Sequence, residues 1–157
     1  MRAAARFVAP LAAACLLTGV SGCGSDSTTG TAKDPGERFS SVADQSTCLA
    51  GATAVATPWP DGFPGDWPFP ARTTAYNVED RGSDGTIVTA VTGSAFKDVL
   101  AFMNKQVSDA GYQVESGETE KHDAEAEWTG NGYHGRWAIR ESAQCPGETV
   151  IQVLSTH

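Results

Sequence analysis

Histidine is scarce in this chain: three in 157 residues, at His122, His134 and His157. Their spacing cannot supply the H-E-x-x-H pair of a zinc hydrolase, and no G-x-S-x-G turn or G-x-x-x-x-G-K-[ST] loop is present. Basic side chains are few as well, 11 against 19 acidic, for a formal charge of −8. A chain this acidic repels phosphate backbones, so nucleic acid is not expected as a partner. Long apolar runs are absent except for one, at the very start. Cysteine is limited to Cys15, Cys23, Cys48 and Cys145, which is too few and too scattered for a closed zinc site. No cofactor is expected.

That single apolar run sits in MRAAARFVAPLAAACLLTGVSGC, residues 1–23. Arg2 and Arg6 form a basic n-region, and Phe7 to Leu17 is the apolar core. It is too short to span a membrane as a mature helix and has the form of a signal peptide. Val20-Ser21-Gly22-Cys23 closes it: an aliphatic residue, two small ones, then cysteine. This stretch resembles the lipobox of bacterial membrane lipoproteins. The resemblance covers residues 1–23 only. It implies diacylglycerol on the Cys23 thiol, cleavage before Cys23, and often acylation, as with palmitate, of the new amino group. The expected location is the extracytoplasmic face of the cell membrane, with the lipid as membrane partner. The ordinary secretory signal with an incidental cysteine is the alternative.

Processing would remove Cys15 and lipidate Cys23, leaving Cys48 and Cys145. An even pair in an oxidising compartment reads as a disulfide, the alternative being two buried thiols. Residues 1–22 then form the signal peptide, 23–44 a lipidated tether, and 45–157 one domain. The tether reads GSDSTTGTAKDPGERFSSVAD after Cys23, with Phe39, Val42 and two alanines as its only apolar residues. Such a composition buries too little to order itself.

Pro58, Pro60, Pro64, Pro68 and Pro70 dominate the next stretch. They fix φ and remove donors, which excludes a helix or a central strand. Trp59, Phe63, Trp67 and Phe69 alternate with them. These rings either cover the core as an arm or form a partner-binding surface. The residues nearest the first strand, Trp67 and Phe69, are expected to be buried, with Trp59 and Phe63 more exposed.

Ala71–Asp80 and Thr86–Thr92 read as a hairpin around the turn cluster Arg81-Gly82-Ser83-Asp84-Gly85, with Thr74, Tyr76 and Val78 sharing one face. Ser94 is the expected helix cap. Phe96, Val99, Leu100, Met103, Val107 and Ala110 follow the 3.6-residue period and Gly111 is the stop, a helix of about sixteen residues with its caps. Tyr112–Gly117 restarts as a strand. Asp123–Gly130 and Tyr133–Glu141 flank Asn131-Gly132, the strongest hairpin turn in the chain. A two-residue loop there sets Ala126 opposite Trp137, Ala124 opposite Ile139 and Trp128 opposite Gly135, with Glu127 facing Arg136 and Asp123 facing Arg140 on the other side. The Trp face is expected to lie under the helix and the charged face in water. Ser142–Glu148 is a loop and Thr149–Ser155 the last strand. The expected fold is α+β: an antiparallel sheet of about five to six strands with one helix on one face.

Gly130-Asn131-Gly132-Tyr133-His134-Gly135 matches G-x-G-x-x-G by letter, but a strand rather than a helix follows it, which argues against a dinucleotide site. Glu118, Glu120 and His122 would share a face if extended, a weak cation-site signal beside the plainer reading of a solvated acidic turn. With no catalytic signature, the favoured function is a non-enzymatic binding or scaffolding module of the cell envelope. Its partner would be an envelope protein or a small ligand. The alternative is a small envelope hydrolase whose site assembles only in three dimensions.

Overall fold

The computed structural model describes residues 47–157 other than Pro58. The signal peptide and tether expected over 1–44 lie outside the described residues.

Six antiparallel strands form one sheet: β1 (Thr73–Asp80), β2 (Thr86–Thr92), β3 (Gln113–Thr119), β4 (Asp123–Gly130), β5 (Tyr133–Glu141) and β6 (Thr149–Thr156). Their spatial order is β1-β2-β6-β5-β4-β3. After the first hairpin, the helix α1 (Phe96–Asp109) carries the chain to the far edge. Strands β3 to β6 then return as a meander, and β6 closes the sheet against β2. The fold is α+β, as the alternation of strand and helix periods indicates. Among the described residues no helix is long and apolar enough to cross a membrane.

The β4–β5 register is the one a two-residue loop dictates, from Gly130 opposite Tyr133 to Asp123 opposite Arg140. Asn131 (φ 52°) and Gly132 (φ 85°) supply the two left-handed residues of a type I′ turn. Small residues therefore meet large ones across the ladder. Gly135, opposite Trp128, has no room for more: a Cβ there would stand 1.9 Å from the Leu154 carbonyl oxygen and 3.2 Å from the Trp128 ring.

The helix lies on the face formed by Val88, Ala90, Ala124, Ala126, Trp128, Trp137, Ile139, Ile151 and Val153. It contributes Phe96, Val99, Met103 and Val107, all buried, while Leu100, Phe102 and Ala110 pack at the margin. Its end is a Schellman turn. The Gly111 N–H donates to the Ser108 carbonyl and the Tyr112 N–H to that of Val107, with Gly111 left-handed at φ 92°. Its start differs from expectation. Ala95, not Ser94, occupies the N-cap position, and no side chain caps the helix. The Ser94 carbonyl instead accepts the Thr149 hydroxyl at 2.9 Å, tying the loop before the helix to the start of β6.

A bulge in β1 also alters the expected facing. Ala75 pairs with Ala90 and Asn77 with Thr89, so Tyr76 is the extra residue. Thr74, opposite Val91, therefore looks away from the helix, while Val78, opposite Val88, looks toward it. All seven residues of β2 are buried, and the strand has a neighbour on each edge, β1 and β6.

Candidate functional site

Cys48 and Cys145 are joined as a disulfide, with Cα atoms 5.7 Å apart and a sequence separation of 97. The bond ties the start of the described chain to the β5–β6 loop. Glu148 reinforces it by accepting the Leu49 backbone N–H at 2.8 Å. The two sulfurs and the Glu148 carboxylate are the one group of potential metal ligands that converges among the described residues, within 4.8 Å. The sulfurs are bonded to each other, so neither is a thiolate free to take a cation. Glu118, Glu120 and His122 do not converge. Glu118 faces Glu125 across the ladder, the Glu120 N–H closes a turn on the Asp123 carbonyl, and the His122 Nδ1 pairs with Glu141 at 2.7 Å. The glycine-rich 130–135 stretch is the β4–β5 hairpin turn, with strand on both sides.

The proline-rich arm lies on the helix side of the sheet. Phe63 and Trp67 are buried, at 2% and 4% exposure, and belong to the core. Trp59 and Phe69 are half-buried and pack on it. The burial of Phe63 departs from the expected split, and Phe69 is less covered than expected. Phe63 is drawn in because its ring bridges Trp59 (5.5 Å between centroids) and Trp67 (6.3 Å). Trp67 in turn packs, with tilted ring planes, against Tyr112 at 5.0 Å and Trp128 at 4.4 Å between centroids. The Tyr112 hydroxyl donates to the Asp66 carboxylate, fastening the arm. Burial first, and then that hydrogen bond to an anion, raises the Tyr112 pKa to about 12. The four rings expected as one partner surface are thus divided: two are core, and Trp59 and Phe69 offer partial faces.

The helix-distal face is different in kind. Over β3, β4 and β5 it is charged. The Arg136 guanidinium donates to Glu125 at 3.3 Å and lies 3.6 Å from Glu127, and Arg140 lies 3.9 Å from Asp123. The pairs Glu127–Arg136 and Asp123–Arg140 were legible from the hairpin register. The cleft around them was not. A cavity of about 320 Å³ opens there, lined among others by Glu115, Glu127, Thr129, His134, Arg136 and Leu154. A second, of about 240 Å³, shares Glu127 and Arg136 and adds Glu118 and Glu125. The bulge in β3 between Val114 and Gly117 shapes this wall. Thr129 donates its hydroxyl to Glu115 at 3.2 Å. Glu118 directly opposite Glu125 is a like-charge pair, unfavourable in a sheet without a cation nearby. Four carboxylates, Glu115, Glu118, Glu125 and Glu127, therefore surround the one guanidinium of Arg136. Such a trough favours positive charge.

Over β2 and β6 the same face is apolar with a polar centre: Ile87, Thr89 and Val91 beside Leu154, Gln152 and Val150. Gln152 donates Nε2–H to the Thr89 hydroxyl at 3.3 Å, and its Oε1 is buried without a donor. Tyr76 borders this half. Burial raises its pKa, partly offset by a backbone hydrogen bond from Thr47.

No family model, no curated protein and no solved structure matches the chain.

Proposed function

We propose that this chain is a membrane-anchored lipoprotein, held at the extracytoplasmic face through lipid on Cys23, whose domain is a non-enzymatic binding module for a cationic partner. The lipobox-like Val20-Ser21-Gly22-Cys23 supports the anchor, and the Cys48–Cys145 disulfide supports an oxidising compartment. The observation that carries the binding reading is the carboxylate-lined trough beside Arg136 on the helix-distal face. Its volume is at the lower end for small-ligand sites, about 300–1,000 Å³, and suits a basic side chain or a short basic segment.

Titration of the full-length processed protein with a lysine-rich hexapeptide, against its glutamate-rich counterpart, tests this reading. The basic peptide should shift the amide resonances of β3, β4 and β5, and Glu127→Lys should abolish the shift. Equal response to both peptides, or none, would refute it.

A further inference from the structure

The two edges of the sheet differ. At β1 the chain covers part of its own edge. The Val55 backbone N–H donates to the Ala75 carbonyl at 2.9 Å, and the bulge at Tyr76 breaks the ladder beside it. At β3 nothing among the described residues pairs on the outer side. Six of its seven residues are exposed, with Val114 half-buried. Gly117 is one of the six, and the exposure of a glycine is exposure of main chain. β3 therefore presents N–H and C=O groups to any strand able to lie beside it.

Two carboxylates stand along this edge on one face. Glu115 and Glu118 are an odd number of residues apart, which in a regular strand sends side chains to opposite faces. The bulge between Val114 and Gly117 adds one residue and cancels the offset. Glu118 thus faces Glu125, and Glu115 accepts the Thr129 hydroxyl, both on the helix-distal side. Gly117 permits the bulge, since a Cβ there would stand 2.1 Å from the Glu125 carbonyl oxygen. Arg136 lies two strands in and serves Glu125 and Glu127. Among the described residues no ion pair reaches Glu115 or Glu118. On the helix side the same edge is uncharged, with Val114, Gly117 and Thr119.

We infer that β3 receives an added strand from a basic partner: an extended segment, lysine or arginine at alternate positions, paired through its main chain to β3 with its cations over Glu115 and Glu118. This rests on the trough reading above and adds the mode of binding, which is strand addition and not the insertion of a lone side chain. Charge selects the occupant. A second copy offering its own β3 would bring Glu115 and Glu118 against the same carboxylates, and like charges across a ladder destabilise it. A segment of alternating basic and neutral residues matches both faces of the edge. Six extended residues span about 20 Å, close to the length of the seven-residue β3.

Main-chain methylation tests the pairing without altering charge. In an extended strand the N–H groups of alternate residues point to the same edge. The probe is the capped hexapeptide Lys-Thr-Lys-Thr-Lys-Thr, unmodified, N-methylated at its three lysines, or N-methylated at its three threonines. Each is titrated into the full-length processed protein. One methylated version should lose about tenfold or more in affinity, through main-chain hydrogen bonds it cannot make, while the other stays within about threefold of the unmodified peptide. The unmodified peptide should also slow amide exchange in β3. An equal response of the two methylated versions, both binding or both failing, would overturn strand addition and leave the cationic trough standing. No binding by the unmodified peptide would overturn both readings. Glu115→Gln with Glu118→Gln, both at exposed positions, should weaken the unmodified peptide about fivefold or more. A variant that binds it as before but now self-associates would show that the two carboxylates only guard the edge, and would overturn the proposal.

Discussion

Trp67 of the proline-rich arm and Trp128 of β4 pack with ring centroids 4.4 Å apart and their planes tilted by 49°, 61 positions apart in sequence. That contact makes the arm part of the core. Trp67→Ala and Phe63→Ala should each cost about 3–5 kcal/mol, as for other buried aromatics. Trp59→Ala, from a half-buried ring, should cost about 1–2 kcal/mol. Denaturant melts of the three variants check the order. Equal losses at Trp59 and Trp67 would show that the arm is buried along its whole length.

Tyr112 couples the arm to pH. Its folded pKa is raised, to about 12, above the ordinary value near 10 of an unfolded tyrosine. The folded state therefore holds a proton that the unfolded chain releases. The resulting stability is fully present below about pH 10 and is lost as pH rises toward 12. Wild type should lose stability across that window more steeply than Tyr112→Phe, measured by denaturant midpoints at each pH. Parallel profiles would contradict the assignment.

Gly135 is predicted to be intolerant of any side chain. A Cβ would meet backbone at 1.9 Å, and relief requires parting β5 from β6 or displacing Trp128. Gly135→Ala should destabilise by more than about 3 kcal/mol, whereas Gly132→Ala, at an open turn position, should cost about 1 kcal/mol through its left-handed φ alone. Paired thermal melts distinguish them.

Opening the Cys48–Cys145 bond should destabilise the domain by about 4–5 kcal/mol in the chain-entropy account of a loop this long. Cys48→Ala with Cys145→Ala should also free Leu49 from Glu148, visible as faster amide exchange at Leu49. Protection at Leu49 that survives the change would show that Glu148 alone holds it.

How far the sequence could be read follows from how local each signal is. The β4–β5 register was legible because Asn131-Gly132 fixes it through two φ angles and two residues. The helix was legible because its apolar period has no competitor between Phe96 and Ala110. The Ser94 cap misled because its carbonyl is claimed by Thr149, 55 residues away. The β1 bulge misled because T-T-A-Y-N-V reads as simple alternation. The insertion of β6 between β2 and β5 left no local mark, so neither the double burial of β2 nor the cleft that β3 to β6 build around Arg136 could be foreseen.

The claim on which the rest of the functional account stands is the lipid on Cys23. Two acyl chains bury some thirty methylenes at about 0.8 kcal/mol each, on the order of 20 kcal/mol, so the anchor would be effectively permanent. Intact-mass analysis of the protein recovered from the membranes of cells producing it reads this directly. The account predicts a chain beginning at Cys23 and carrying diacylglycerol, with Cys23→Ala accumulating as uncut precursor or released into the medium. A chain that begins elsewhere, or a Cys23 without lipid, would contradict it.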